Sequence, residues 1–295
     1  MHLLWVVHKF GFRHGETLTI DEALKCICVV SANDVCVAMS ELIGGTESNF
    51  VSMMNERAKG LGMGNTNFVN CHGIDAEGHY TCAKDIALMS RELMQKHPGI
   101  TEYTTIWMDS IRGGTFELSN TNKLIKTYDG ITGLKTGFTS SALYNLSATA
   151  TRDNLSLIAV VLGGKTSEIR NNEITQLLNY GFSNYSTKTL AKKGDIVQNI
   201  KVNKNIFETV DLVFADDLKL LCEKGNTKEF TTNVNLHENI TAPLKAGDIV
   251  GKVDFLDKDN NILKSMDICV SKDVTKSSLL EYMQYTFLRY LSVNL

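Results

Sequence analysis

Two short motifs carry side chains that could do chemistry together, Ser31-Ala32-Asn33 and Lys135-Thr136-Gly137. A lysine and a threonine on a strand at a sheet edge present an ammonium and a hydroxyl, a pair suited to a carboxylate. The glycine beside them lets another backbone lie against the strand. Ser31 offers a hydroxyl that can relay a proton, and Asn33 an amide that can hold a peptide carbonyl or N–H. Each motif also has a purely structural reading. Ser and Asn favour helix caps, so 31–33 reads as a break between two helices, and 135–137 as a strand end with a turn.

Two other motifs fail on inspection. Val161-Leu-Gly-Gly-Lys-Thr166 resembles a phosphate loop, but the glycine required five residues before Gly164 is Ala159, inside an apolar strand with no loop to wrap a phosphate. Cys71, His72, His79 and Cys82 lie close together, but their spacing fits no common zinc pattern and the adjacent Cys71-His72 cannot easily face one tetrahedral centre. No metal or cofactor is called for. The 7 cysteines are odd in number and include no C-x-x-C pair, so a disulfide framework is not expected.

The elements that must position the two motifs follow from periodicity. Thr19 and Glu22 form a capping-box pattern, and apolar residues recur at helical spacing from Ile20 to Val30 and again from Val35 to Leu42, with 31–34 between the runs. Further helices are expected over about 46–61, 82–96 and 167–182. Strand-like runs cover 130–137, 144–150 and 155–162, so the first domain, residues 1–187, reads as α/β (α+β) with helices packed on an antiparallel sheet. Alternating short runs with Lys, Gly, Asp and Asn turns make residues 188–275 a small all-β module. Residues 276–295 form an amphipathic helix, which suits packing on its own domain or lying at a membrane surface.

Composition narrows the partners. With 295 residues, a net charge of -3 and no long Lys/Arg run, the chain lacks the basic footprint of a nucleic-acid binder. The apolar run from Leu3 to Val7 is too short for a signal-peptide core, so no export signal is read there.

In order and surroundings, the two motifs resemble the second and third signatures of penicillin-recognising acyl-serine enzymes. The stretches VVSANDVCVAMSELIGG, FVSMMNERAKGLGMGNTNFVNCHGIDAEGHYTCAKDIALMSREL, NTNKLI, YDGITGLKTGFTSSALYNLSATA and LIAVVLGGKTSEIRNNEITQLLNYGF, followed by a β-rich tail, are similar to the low-molecular-weight D-alanyl-D-alanine carboxypeptidases. The likeness extends over nearly the whole chain from about Gly15. It implies a transpeptidase/β-lactamase-like domain, a β-sandwich and, in many relatives, a C-terminal helix on the outer face of the cytoplasmic membrane. It also implies a serine-type hydrolase of the cell envelope acting on peptidoglycan stem peptides that end in D-Ala-D-Ala, with β-lactams as inhibitors.

By the same resemblance, Ser31 passes a proton toward the leaving amine, Asn33 orients the substrate peptide, and Lys135 and Thr136 grip its carboxylate. The N–H of Phe138, just past Gly137, serves as half of an oxyanion hole, and Arg170 supports the carboxylate site. Arg170 also reads as a solvated cation near a helix start.

One departure matters. The family nucleophile belongs to a Ser-x-x-Lys that precedes the Ser-x-Asn motif, whereas Ser31 is the first serine here and no serine is followed by lysine three positions later. With an unpatterned first fourteen residues, the chain reads as an N-terminal truncation lacking nucleophile, signal peptide and first sheet strands. It is expected to be catalytically silent as given, with exposed sheet surface that favours aggregation. A non-catalytic muropeptide-binding or scaffold protein of the same fold is the alternative. A β-lactamase shares both motifs but leaves the β-rich second domain unexplained.

Overall fold

The Thr19 hydroxyl accepts from the Glu22 N–H at 3.2 Å, and the Glu22 carboxylate accepts from the Thr19 N–H at 2.9 Å, so two orphan donors are satisfied where the first helix begins. The computed structural model describes residues 11, 16–206, 209–225 and 230–293. The Leu3 to Val7 run lies outside them, as does most of the unpatterned start of the chain.

Helix α1 (Ile20–Lys25) widens into a π-helical turn (Cys26–Val30), which ends at Ser31 in the left-handed conformation with φ 61° and ψ 48°. Helix α2 (Asn33–Gly44) starts two residues later. The break expected between the two apolar runs is therefore a sharp reversal, and Ser31 and Asn33 flank it. Positive φ is uncommon for a residue with a Cβ and is found most often where the surrounding structure requires it. Helices α3 (Glu47–Gly60) and α4 (Ala83–Lys96) follow; α4 stops before Pro98, whose ring disfavours helical geometry in the residue ahead of it.

Short elements α5 (Thr101–Thr104), β1 (Met108–Ile111), β2 (Phe116–Ser119) and α6 (Leu124–Thr127) lead to the antiparallel sheet of β3 (Ile131–Thr139), β4 (Leu143–Arg152) and β5 (Leu155–Gly164), in that spatial order. Helix α7 (Ser167–Asn184) covers one face. Leu146, Ala148 and Ala150 of β4 and Ala159 and Val161 of β5 pack against its Ile174 and Leu178. Gly181 permits the close approach, because a Cβ there would sit 2.4 Å from Leu157 Cδ1. On the opposite face the buried Ser147 and Ser90 hydroxyls pair at 2.7 Å, fastening β4 to α4. A second core of Ala23, Cys26, Val29, Ala32 and Val35 packs the α1–α2 region on Ile111 and Leu118 of the β1–β2 hairpin.

Among the described residues no strand pairs with the outer edge of β5, and its ten residues include neither a charge nor a proline to discourage pairing. Self-association through this edge is expected to grow with concentration, and Leu162→Lys, at a position already 38% exposed, should reduce light scattering severalfold at equal concentration. Unchanged scattering would count against the edge as the cause.

Contacts divide the chain into two compact units, Met1–Asn184 and Tyr185–Leu295. In the second, β6 (Tyr185–Ala191) pairs with β9 (Leu218–Glu223). The strands β7 (Ile196–Lys201), β8 (Thr209–Phe214), β10 (Thr231–Leu236), β11 (Ile249–Leu256) and β12 (Ile262–Val270) form an antiparallel sheet ordered β10-β11-β12-β8-β7. Leu212, Leu218, Phe255 and Ile268 centre its core. Helix α8 (Leu279–Val293) follows, with Leu279, Leu280, Met283, Phe287 and Leu288 exposed. Among the described residues no helix is long and apolar enough to cross a membrane. The α/β first unit, the β second unit and the terminal helix agree with the expected fold class.

Candidate functional site

All seven residues singled out in the sequence line one groove of about 780 Å³ in the first unit: Ser31 and Asn33 from the helix break, Lys135, Thr136, Gly137 and Phe138 from β3, and Arg170 from α7. The motifs, a hundred positions apart, meet directly. Lys135 Nζ donates to Ser31 Oγ at 2.7 Å and to the Thr136 carbonyl at 2.9 Å. Helical periodicity fixes where α1 and α2 must be interrupted, and the left-handed Ser31 turns its hydroxyl toward the sheet at that interruption.

Thr136 is steadied by Thr121, the two hydroxyls lying 2.6 Å apart, and the Thr121 N–H donates to the Val29 carbonyl at 3.1 Å. One residue thus ties the strand to the end of the π-helical turn. Thr121 lies in the stretch NTNKLI, where its residue type alone gives no reason to expect it at the site. At Gly137 a Cβ would meet Asn145 Cβ at 3.7 Å, an ordinary contact, so the protein's own packing does not demand glycine. On the groove side, the lack of a side chain leaves open space beside the strand. Phe138 stacks on Tyr144, with ring centroids 4.5 Å apart.

Arg170 is 4% exposed. Its Nε and Nη2 donate to Asn171 Oδ1 at 3.1 and 2.9 Å, and its Nη1 donates to the Asn145 carbonyl at 3.3 Å. Asn145 is the β4 partner of Gly137. The guanidinium is thus held in a fixed position behind β3, and the solvated reading of Arg170 does not apply.

Burial pushes the Lys135 ammonium down to about 8, with the Arg170 charge acting in the same direction and the Cys36 and Cys28 thiols opposing it. The group is therefore charged at neutral pH and loses its charge as pH rises through about 8. Affinity of the groove for an anionic carboxylate is expected to be full below that value and to fall roughly tenfold per pH unit above it. Binding titrations from pH 6 to 10 check this; a flat profile to pH 10 would refute it.

Cys36 and Cys71 also line the groove, but burial pushes their thiols up to about 11 and about 12, so both are protonated and poor nucleophiles at neutral pH. Cys71 Sγ donates to Glu47 at 3.3 Å, His79 Nδ1 accepts from the Val69 N–H at 3.2 Å, and Cys82 stands at the N-terminal boundary of α4 with no capping bond from its side chain. These residues serve local structure. Among the described residues no group of three or more His, Cys, Asp or Glu side chains could hold a metal ion.

Comparison with known proteins identifies relatives of the chain. The D-alanyl-D-alanine carboxypeptidase family profile matches residues 7–166, and that of the penicillin-binding protein 5 C-terminal domain matches residues 185–276. The chain is 38% identical over 276 residues to the D-alanyl-D-alanine carboxypeptidase DacF of Bacillus subtilis, covering 92% of this chain and 70% of that protein. Penicillin-binding protein 5 of Haemophilus influenzae superposes with a TM-score of 0.70 at 30% identity, over 92% of this chain and 79% of that one. Penicillin-binding protein D2 of Listeria monocytogenes, solved in an ampicillin-bound form, superposes with a TM-score of 0.52 at 33% identity, over 56% of this chain and 68% of that one.

Proposed function

Because this chain belongs to the D-alanyl-D-alanine carboxypeptidase family, we propose that its groove receives the carboxyl end of a peptidoglycan stem peptide terminating in D-Ala-D-Ala. The observation that carries the reading is the 2.7 Å contact between Lys135 Nζ and Ser31 Oγ, which joins a cation fit for a carboxylate to a hydroxyl fit for proton transfer.

In this reading the terminal carboxylate lies on Lys135 and the Thr136 hydroxyl, with the Arg170 charge behind them adding to the field. Asn33 holds the peptide amide, and the Phe138 N–H polarises the penultimate carbonyl. In the acyl-serine route, a serine attacks that carbonyl, D-Ala departs with a proton passed along Ser31, and water hydrolyses the acyl-enzyme. The serine of that route belongs to a Ser-x-x-Lys, and none occurs in these 295 residues. The chain as given is accordingly a recognition and proton-relay site without an acylating serine.

The division into a peptidase-like domain over 1–187, a β-sandwich over 188–275 and a helix over 276–295 belongs to the same proposal. So does an envelope location, with the exposed apolar side chains of α8 resting on the outer face of the cytoplasmic membrane.

The test is paired. An acetylated peptide ending in D-Ala-D-Ala should bind, and amidating its carboxyl end should abolish binding, whereas fluorescent penicillin should leave no covalent adduct on the denatured chain. A stable adduct would overturn the claim that no acylating serine is present. Equal binding of the amidated peptide would overturn the carboxylate assignment.

A further inference from the structure

The backbone around Asn145 departs from regular strand geometry at two places, and the Asn145 side chain reaches both. Leu143, the first residue of β4, has φ 56°, and Gly163 of β5 has φ 74°. In the β4–β5 ladder Tyr144 faces Gly164 and Leu146 faces Val161, so Leu162 and Gly163 together oppose Asn145 in a bulge. Asn145 Nδ2 donates to the Leu143 carbonyl at 2.9 Å, and Asn145 Oδ1 accepts from the Gly163 N–H at 2.9 Å. A primary amide carries a donor and an acceptor side by side, which is what these two backbone groups require. The side chain is thus tied at both ends.

The same residue serves Arg170 through its main chain. Its carbonyl accepts from Arg170 Nη1 at 3.3 Å, while Arg170 Nε and Nη2 both donate to Asn171 Oδ1. The Asn171 contacts lie within α7 and move with that helix. Among the described contacts, the Asn145 carbonyl is the one that ties the guanidinium to the sheet.

Such a tie is needed. No carboxylate among the described residues pairs with Arg170. The charge of Lys135, a second buried cation, lies within electrostatic reach of it. Like charges with little water between them repel, so neutral oxygens must hold the arginine where it stands. Gly164 leaves room for its stem, since a Cβ there would lie 3.0 Å from Arg170 Cβ and 3.2 Å from the Tyr144 carbonyl.

Resting on the reading of the groove as a carboxylate site, we propose that Asn145 is a positioning residue, whose side-chain amide locks the bulge and aims its own backbone carbonyl at Arg170. The arginine is thereby kept behind Lys135 and Thr136 against the repulsion of Lys135. Asn145 is not among the residues lining the groove, so its effect on a ligand passes through Arg170.

Two measurements on the full chain test this, one of them without a ligand. Hydrogen exchange at the Arg170 Nε–H, followed by nitrogen-15 NMR at pH 6, is expected to quicken about tenfold in Asn145→Ala, while the amide of the buried Leu178 on the same helix keeps its protection. Asn145→Ser, which can keep at most one of the two side-chain bonds, should fall between and carries the test if the alanine variant does not fold. Unchanged exchange at Arg170, or an equal loss of protection at Leu178, would overturn the positioning role.

The second measurement is a double-mutant cycle read by calorimetry with an acetylated peptide ending in D-Ala-D-Ala. Asn145→Ala should weaken binding about fivefold, the scale of one hydrogen bond. In the Arg170→Met background the same substitution should change affinity by less than about twofold. Equal losses in both backgrounds would show that Asn145 does not act through Arg170 and would overturn the proposal while leaving the groove reading intact. Failure of the unsubstituted chain to bind the peptide would overturn the groove reading alone, and the exchange rates would then decide the role of Asn145.

Discussion

Lys135→Met is expected to weaken binding of a D-Ala-D-Ala-terminated peptide by roughly 10- to 100-fold, the equivalent of losing one hydrogen bond to a charged group, about 1.5–3 kcal/mol. The folded chain should lose no stability. Methionine keeps an unbranched apolar stem of similar length, and the burial that pushes the ammonium down to about 8 shows that the folded state holds this charge at a cost. Removing the charge relieves that cost, and the Ser31 hydroxyl can rotate toward another acceptor or water. Affinity and stability should thus move in opposite directions, as read by calorimetry and a thermal melt on one sample. A variant that melts early and binds normally would show Lys135 to be a structural residue.

Leu146→Ala is expected to cost about 2–5 kcal/mol of unfolding free energy. Leu146 is 0% exposed, packs in the core formed by β4, β5 and α7, and stands directly across the ladder from Thr136. Its truncation leaves a cavity behind β3, where close packing on both sides limits collapse. Leu221→Ala, at a site 59% exposed in the second unit, should stay within about 0.5 kcal/mol. Urea unfolding followed separately in the two units distinguishes these cases, and similar losses for both variants would contradict the packing argument.

Much of the fold could be read from the chain because its signals are local. The Thr19–Glu22 box, the apolar period of α1 and α2 and the stop before Pro98 each reside within a few residues. Strands β6 and β9 were harder to see. β6 follows α7 without a glycine or proline between them, and β9 reads Leu-Lys-Leu-Leu-Cys-Glu, residues that suit a helix about as well as a strand.

At the site, Ser31, Asn33 and the 135–137 motif were legible through their order and their resemblance to a family, since each alone also reads as a cap or a turn. Thr121 and Asn145 were not. Their importance comes from partners on other elements, such as Thr136 for Thr121 and Arg170 for Asn145, and no periodicity records such meetings. The left-handed turn at Ser31 was equally hidden, because glycine rather than serine is the usual sign of positive φ.

An ammonium has three protons to give. Those of Lys135 already reach the Ser31 oxygen and the Thr136 carbonyl, which leaves one for an arriving anion. A neutral amine at the same place has two protons, both committed, and a lone pair facing the newcomer. In alkaline solution the groove must therefore take a proton from the buffer each time it closes on a carboxylate, and its apparent heat of association will follow the ionisation enthalpy of whichever buffer supplies that proton.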